Sequence, residues 1–214
     1  MLDSAADKVH PMDKALLVFI RNAEKGKVKT RLAADVGDDQ ALAVYEHMLA
    51  HTRDVALQTD AERFLFYSDF VERADGFSNE DFRKYSQCSG DLGARMEFAF
   101  SLPFKMGGFK RVVIVGSDIP GLTPALVEQA FEALTDHDFV LGPSADGGYY
   151  LLGMTKWQRG LFRNKAWSTP SVLADTRQEI EQGGGRLFTL PELRDVDTAA
   201  DWEALGRPGE LPAQ

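Results

Sequence analysis

Cysteine is almost absent from this sequence, whose 214 residues contain one, Cys88. A single cysteine cannot form a disulfide within the chain, and it fits the reducing cytoplasm, where we expect the protein to be located. Together with four scattered histidines, it cannot supply the ligands of a structural zinc site. Hard metal ions with oxygen ligands are therefore the metals to consider.

Long apolar runs and an excess of positive charge are also lacking. The longest apolar runs, such as 15–20, are too short to span a bilayer, and the polar N-terminus has no signal-peptide core. The formal net charge of −9 argues against nucleic acid as a partner, because contacts to its phosphates need clustered Lys and Arg. Between Arg21 and Arg31, however, five basic residues accompany one acid, so a small anionic ligand fits there. The oligomeric state stays open, a homodimer included.

Strand-like apolar runs alternate with amphipathic segments of helix length, a pattern typical of a mostly parallel sheet covered on both faces. We predict one three-layer α/β/α domain over 14–206, with tails over 1–13 and 207–214. Thr123 and Thr169 each precede a proline, which predicts an N-cap and a first helical residue. The predicted strands are 16–20, 63–67, 112–115, 139–141, 149–152 and 186–190. The further predicted helices are 39–59, 92–104 and 199–205.

The basic segment 21–32 follows the first predicted strand directly, at the edge where open α/β sheets bind ligands. Lysine supplies point charge and arginine a bidentate fork, which suits a diphosphate or triphosphate. The alternative is a solvated basic turn. Lys29 and Thr30 lack the upstream glycine spacing of a phosphate loop, which excludes a Walker-type NTPase.

Acidic residues follow two later strands. Asp118 comes just after the strand over 112–115, where its carboxylate could hold Mg²⁺ or Mn²⁺ against a diphosphate. The alternative is an acid that caps a turn. Asp195 and Asp197 alternate along the chain, so an extended backbone would put both carboxylates on one side, which suits a hard cation. The alternative is that Asp197 or Thr198 caps the last helix.

Three further segments carry weaker indications. The segment 142–149 is typical of a tight hairpin, and its paired glycines also let a ligand approach the backbone. The segment 90–96 is a loop that enters a helix. The segment 167–170 is a helix start, and the aromatic ring of Trp167 could line an acceptor pocket.

Taken in order, these segments resemble the glycosyltransferase-A-like nucleotide-diphospho-sugar transferases typified by the arsenosugar-biosynthesis-type glycosyltransferases. The match covers about residues 16–202, nearly the whole predicted domain. It rests on the order of six motifs, which are Val28-Lys29-Thr30-Arg31-Leu32, Gly90-Asp91-Leu92-Gly93 with Arg95-Met96, Gly116-Ser117-Asp118 with Pro120, Gly142-Pro143 with Asp146-Gly147-Gly148-Tyr149-Tyr150, Trp167 with Thr169-Pro170, and Asp195-Val196-Asp197-Thr198. The chain is more distantly similar to the 2-phospholactate guanylyltransferases, which share the basic stretch and an acid before a proline. Each motif is weak alone, whereas the ordered set is specific.

The resemblance implies a mixed, mostly parallel sheet with a nucleotide over the first strand. It implies Mg²⁺ or Mn²⁺ near Asp118, with Asp195 and Asp197 as further ligands. The implied catalytic residues are Asp118, Lys29 and Asp146, with Asp91 as the other candidate for a general base. The implied nucleotide-binding residues are Arg21, Lys29, Arg31, Gly90, Asp91, Arg95 and Ser117. The implied acceptor-binding residues are Gly147, Gly148, Tyr149, Trp167 and Thr169.

The chain departs from this family at two places. Relatives carry prolines in the first loop, where this chain has residues 23–25 without proline. Asp118 also lacks the second acid of the usual Asp-x-Asp motif, because Ile119 and Pro120 follow it. Metal binding would then need Asp197 or Asp195.

The leading hypothesis is transfer of a sugar from a nucleotide diphospho-sugar to a small acceptor. The metal, Lys29 and Arg31 would stabilise the departing diphosphate. The first alternative is a nucleotidyltransferase, similar to a guanylyltransferase, that joins a nucleoside monophosphate to a phosphorylated small acid and releases pyrophosphate. The second is a non-catalytic nucleotide-binding protein, which the missing second acid favours.

Overall fold

Seven strands form one mixed sheet at the centre of the fold. A computed structural model describes residues 13–211. The strands are β1 (Lys14–Ile20), β2 (Glu62–Tyr67), β3 (Arg83–Ser86), β4 (Arg111–Val115), β5 (Phe139–Pro143), β6 (Tyr149–Met154) and β7 (Leu187–Thr189). Their order is β3-β2-β1-β4-β6-β5-β7. β6 runs antiparallel to β4 and β5, and the other neighbouring pairs in this sheet are parallel, which confirms the predicted fold class.

β1 lies in the interior of this sheet, between β2 and β4, and its side chains are apolar on both faces. Leu16 and Val18 belong to the hydrophobic cluster on one face, and Ala15 and Leu17 belong to the cluster on the other. All four are fully buried. A continuous apolar run of this kind is typical of a parallel strand covered on both sides.

Helices cover both faces of the sheet. Those of the described residues are α1 (Thr30–Val36), α2 (Asp38–Gln58), α3 (Leu92–Met106), α4 (Pro124–Ala133), α5 (Val172–Gln182) and α6 (Ala199–Ala204), with a short 3₁₀ helix over Arg159–Phe162. Val55 on α2 and Phe131 on α4 pack on one face. Phe100 on α3 and Ile180 on α5 pack on the other.

A third apolar cluster joins α1, α2 and α6 beside the sheet. Leu32 of α1, Tyr45 of α2 and Trp202 of α6 are buried together with Val196. This packing brings the chain around Lys29 next to the segment that precedes α6. Two stretches more than 160 residues apart in the sequence thereby meet at one edge of the sheet.

Three elements differ from the sequence-based prediction. α1 begins inside the basic segment 21–32, which we expected to be a loop, because Leu32 packs against α2. β3 was not predicted, because its sequence RKYS is short and largely polar. The 3₁₀ helix was not predicted either.

The predicted helix starts have different outcomes. Thr123 caps α4 by accepting a hydrogen bond from the backbone of Leu126, which confirms the prediction. Thr169 does not cap α5, which begins at Val172 after Ser171, so that prediction is wrong. The reason is that the turn before α5 packs against Gly147. The N–H of Leu173 donates to the carbonyl of Gly147, and a Cβ on Gly147 would lie 2.3 Å from the Pro170 carbonyl oxygen.

Both predicted tails include residues that contact the domain. Asp13 accepts backbone hydrogen bonds from Lys110 and Arg111, whereas residues 1–12 lie outside the described residues. At the other end, Gln40 of α2 bonds the carbonyl of Gly209 and the N–H of Leu211. Among the described residues, none of the helices has the length and apolarity required to cross a membrane.

Candidate functional site

A cleft of about 1090 Å³ opens at the carboxyl ends of β1, β2 and β4. β1 and β4 are parallel neighbours, and the chain leaves them in opposite directions, towards β2 and towards β5. Such a switch point separates the two connections and leaves a crevice, which is where open α/β sheets bind ligands. The predicted ligand-binding edge and the observed cleft therefore coincide.

Lys29 lies between two carboxylates, beneath the residues that line this cleft. Its Nζ is 3.0 Å from Oδ2 of Asp118 and 3.2 Å from Oδ1 of Asp197. Arg31 donates to the other oxygen of Asp197. The Lys29 side chain is 4% exposed and that of Asp118 is 44% exposed. The two carboxylates therefore separate the buried ammonium group from the cleft.

The backbone explains why these three side chains meet. Asp118 follows the end of β4, and its carbonyl accepts a hydrogen bond from the N–H of Val196. Val196 is fully buried, which fixes Asp197 beside Asp118. Thr198 then caps α6 in a capping box with Asp201, as one of the two alternatives for this segment predicted.

Asp195 also lines the cleft, and its surroundings favour the protonated form. Burial raises the pKa of this carboxyl above its ordinary value, and the nearby charges of Asp197 and Asp146 raise it further. Lys29 opposes this change. Asp195 therefore holds a proton more tightly than an aspartate in water does.

The acids of the cleft fit a hard divalent cation whose remaining ligands come from a bound substrate and water. Within the described part of the chain, no group of three or more His, Cys, Asp or Glu side chains is arranged to hold a metal ion. Asp118, Asp195 and Asp197 all line the cleft, and their joint role as metal ligands stays a prediction. The Lys29 ammonium lies between Asp118 and Asp197. Mg²⁺ commonly uses one or two carboxylates together with substrate phosphates and water. Asp118 and Asp197 meet that requirement.

The opposite wall of the cleft comes from the turn after β5 and the segment before α5. Asp146 accepts a hydrogen bond from the N–H of Gly148, 2.8 Å away, and is exposed. Tyr149, Trp167 and Thr169 line the same wall. This wall therefore combines an exposed carboxylate with aromatic and hydroxyl-bearing residues.

Most of the predicted site residues line the cleft, and a few do not. Those that line it are Arg21, Arg31, Arg95, Ser117, Asp118, Asp146, Gly148, Tyr149, Trp167, Thr169, Asp195 and Asp197. Those that do not are Lys29, Gly90, Asp91 and Gly147. Asp91 instead caps α3 by accepting a hydrogen bond from the N–H of Ala94. That contact explains its place in the sequence without a ligand.

Two residues that organise the cleft were not singled out from the sequence. Asn22 accepts a hydrogen bond from the N–H of Asp69 and donates one to the carbonyl of Phe70. Gln87 donates to the carbonyls of Ile20 and Phe66. Asn22 stands two residues after the predicted first strand, and that position was the signal available. Gln87 follows β3, which was not predicted, so the sequence offers no comparable signal for it.

Comparison with solved structures finds similar proteins, and one of them has substantial sequence identity. It comes from Desulfovibrio desulfuricans G20 and is named for a suggested nucleotide-diphospho-sugar transferase activity. It is 32% identical, with a TM-score of 0.83 over 92% of this chain and 87% of the other.

Two more distant structures share the fold alone. The inositol-1-phosphate CTP transferase from T. maritima is 15% identical, with a TM-score of 0.54 over 95% of this chain and 99% of the other. The Rv0371c protein of Mycobacterium tuberculosis H37Rv, in complex with manganese, is 17% identical, with a TM-score of 0.54 over 90% and 96%. This fold is thus one that transferases use.

A search of curated proteins finds no match. A family model described as "Uncharacterized protein conserved in bacteria (DUF2064)" matches residues 48–169, which is more than half of the chain. The chain therefore belongs to the DUF2064 family.

Proposed function

We propose that the protein is a transferase that moves a sugar from a nucleotide diphospho-sugar to a small acceptor. The observation that carries the proposal is the cleft at the switch point, where Lys29 and Arg31 meet Asp118 and Asp197. Its volume of about 1090 Å³ accommodates a nucleotide together with a second molecule. The similar D. desulfuricans protein, named for a related activity, supports the same class.

Three arginines that line the cleft are suited to bind the diphosphate: Arg21, Arg31 and Arg95. Arg31 is 73% exposed, so its guanidinium can leave Asp197 and bind phosphate oxygens in a bidentate manner. Arg21 and Arg95 line the same cleft. Arg95 is held by the Gly90 carbonyl, 3.1 Å from its Nε. A positioned guanidinium stabilises the charge that develops on the departing diphosphate.

Asp118 and Asp197 are the residues that would hold Mg²⁺ or Mn²⁺. When bound, such an ion offsets negative charge on the leaving diphosphate. Asp118 directs its exposed carboxylate to the cleft, and Ser117 lies beside it with its Oγ 3.5 Å from Asp118 Oδ1. These contacts keep the carboxylate oriented before a ligand arrives.

The acceptor would enter along the wall formed by Asp146, Tyr149 and Trp167. Asp146 is the stronger candidate for a general base, because Asp91 caps α3 and lies outside the cleft. Its carboxylate is exposed and already fixed by the N–H of Gly148. It can accept the proton of an acceptor hydroxyl group as the new bond forms.

Nucleotidyl transfer is the second candidate, because a CTP transferase has the same fold. In that reaction a phosphate of the second substrate attacks the α-phosphate of a nucleoside triphosphate, and pyrophosphate leaves. The same three arginines, Arg21, Arg31 and Arg95, would then bind the β- and γ-phosphates. The two candidates differ in their products, a free nucleoside diphosphate in one case and pyrophosphate in the other.

A ligand panel tests the proposal. Thermal unfolding is followed with UDP-sugars, GDP-sugars and nucleoside triphosphates, each with and without Mg²⁺ or Mn²⁺. A ligand at 100 times its Kd adds about 2.7 kcal/mol of stability, which such a measurement resolves. A metal-dependent shift with a diphospho-sugar, followed by release of nucleoside diphosphate, supports sugar transfer.

Two variants sharpen this experiment. Asp118→Asn should lose the metal-dependent shift. Asp136→Asn, which removes the same charge at an exposed turn after α4, should keep it. A shift with triphosphates alone, with pyrophosphate as product, would replace sugar transfer by nucleotidyl transfer. No shift with any nucleotide would refute both.

A further inference from the structure

Lys29 differs from the other cations near the cleft in its burial and its contacts. Its side chain is 4% exposed and lies within 3.2 Å of both Asp118 and Asp197. Arg31, which bonds the same Asp197 carboxylate, is 73% exposed. Lys27, in the same segment, is 70% exposed. In this structure Lys29 therefore contacts two carboxylates and does not line the cleft.

The backbone holds Lys29 in an uncommon conformation. Its φ of 48° and ψ of 42° lie in the left-handed region, which residues other than glycine seldom adopt. Residues in such conformations persist where the surroundings over-determine them, and they cluster at functional sites. Val28, next to it, is buried, which anchors this part of the chain. From this backbone position the lysine side chain reaches both acids.

The ammonium group also stands where a divalent cation shared by Asp118 and Asp197 would lie. One oxygen of each carboxylate already contacts Nζ, and the other oxygen of Asp197 contacts Arg31. A second cation at this distance meets strong repulsion, because the site is partly shielded from water. The positive charge of Lys29 therefore opposes binding of a metal by the free protein.

We propose that Lys29 is an internal counter-cation that competes with the divalent metal for Asp118 and Asp197. The proposal rests on the proposed function, in so far as that function assigns a metal to this cleft. The free protein then binds Mg²⁺ or Mn²⁺ weakly. Phosphates in the cleft supply the negative charge that both cations need, so nucleotide and metal increase each other's affinity by the same factor.

The test measures binding of Mn²⁺ alone, without any nucleotide. Isothermal titration calorimetry and the electron paramagnetic resonance signal of free Mn²⁺ give the affinity. Lys29→Met keeps an unbranched apolar chain close in length to the lysine stem and removes the charged ammonium group. It should bind Mn²⁺ about tenfold or more tightly than the wild type. Arg31→Met should give a smaller gain, and Lys27→Met none, because exposed charges are screened by solvent.

The sign of the change decides the outcome. If Lys29→Met binds Mn²⁺ with equal or lower affinity, Lys29 positions the acids for the metal and the proposal is overturned. Adding Asp118→Asn to Lys29→Met should remove the gain. A gain that survives this second change would place Mn²⁺ elsewhere and would also overturn the proposal.

The wild type offers a test if Lys29→Met does not fold. Acetylation of Lys29 by an amine-reactive reagent, followed by mass spectrometry of its peptide, should be slow in the free protein because the amine is buried. Saturating Mn²⁺ should expel the ammonium group and accelerate this acetylation, and Asp118→Asn should show no acceleration. Unchanged acetylation with Mn²⁺ bound would contradict competition. Because no donor or acceptor is present, these results do not depend on which group is transferred.

Discussion

The hydroxyl group of Tyr45 holds the backbone of Arg21. It accepts a hydrogen bond from the Arg21 N–H, 2.7 Å away, and donates to the Arg21 carbonyl, 3.1 Å away. It also lies 3.4 Å from the Oγ of Ser117. One buried side chain of α2 thus connects the ends of β1 and β4, the two strands between which the cleft opens. Burial raises the pKa of Tyr45, so the hydroxyl stays a donor.

Replacing Tyr45 by phenylalanine should destabilise the fold. The change removes the hydrogen-bond partner of the Arg21 N–H and carbonyl beside a buried side chain. Leaving these groups unpaired costs about 1–3 kcal/mol of unfolding free energy. Urea denaturation measures this loss. Tyr85→Phe is the control, because the described residues include no hydrogen-bond partner for its hydroxyl, and its stability should be nearly that of the wild type. Equal effects of the two changes would contradict the assigned role of Tyr45.

Asn22 should be essential to the segment that follows β2. Its side chain satisfies the N–H of Asp69 and the carbonyl of Phe70, and it is buried. Asn22→Ala removes both bonds, so we expect a loss of about 2–3 kcal/mol and faster proteolysis between 68 and 77. Limited proteolysis with mass spectrometry, alongside urea denaturation, measures both effects.

The control for this prediction is Gln58→Ala, which removes an exposed amide at the end of α2. Its stability should change by less than about 0.5 kcal/mol. If Asn22→Ala is as stable as this control, the segment after β2 is held by other contacts, and the importance assigned to Asn22 is wrong.

The capping box at α6 should give a specific pH dependence. Asp201 accepts hydrogen bonds from Thr198 Oγ1 and from the N–H groups of Thr198 and Asp197. The hydrogen bond from the Thr198 side chain is the main cause that lowers the pKa of Asp201 below 3.8. A lowered pKa in the folded state means that this stabilisation is complete above pH 3.8 and is lost as the pH falls through the folded value.

Asp201→Asn should therefore be less stable than the wild type at pH 7, by about 1 kcal/mol for a weakened cap. The difference should shrink as the pH falls below 3.8, because the wild-type carboxylate then takes up a proton. Denaturation at a series of pH values measures it, with Asp136→Asn as the control for loss of one charge. A difference that stays constant with pH would show that the charge of Asp201 does not matter.

The sequence predicted those parts of the fold that local chemistry determines. The apolar run of β1 and the pairing of Thr123 with Pro124 both led to correct elements, because burial and capping leave local patterns. β3 escaped prediction, since its four residues RKYS form a strand through pairing with β2 and not through their own pattern. α5 began later than expected, because the turn before it docks on Gly147, a contact between distant residues.

The candidate site was predictable to a similar degree. Asp118 and Asp197 were found because each follows an element that ends at the same edge of the sheet. The position of Lys29 beneath them was not, because a basic segment after a strand predicts contact with a ligand and not burial against acids. The left-handed backbone of Lys29 also leaves no signal in the sequence, because such a conformation is predicted only where a glycine stands.

Gly93 should be necessary for the wall that contains Trp167. It lies in the first turn of α3, and a Cβ there would be 2.3 Å from the carbonyl oxygen of Phe162 and 2.4 Å from Nε1 of Trp167. Alanine favours a helix over glycine by about 1 kcal/mol, but a contact this close to backbone forces the neighbouring segment to move, which costs about 1–3 kcal/mol. Gly93→Ala should therefore lose stability and change the fluorescence of Trp167.

Gly160→Ala is the control, since a Cβ there meets nothing within 4 Å, and it should change neither property. Equal stability of the two variants would mean that the segment from Phe162 to Trp167 yields freely, and Trp167 could then not form a fixed wall for an acceptor.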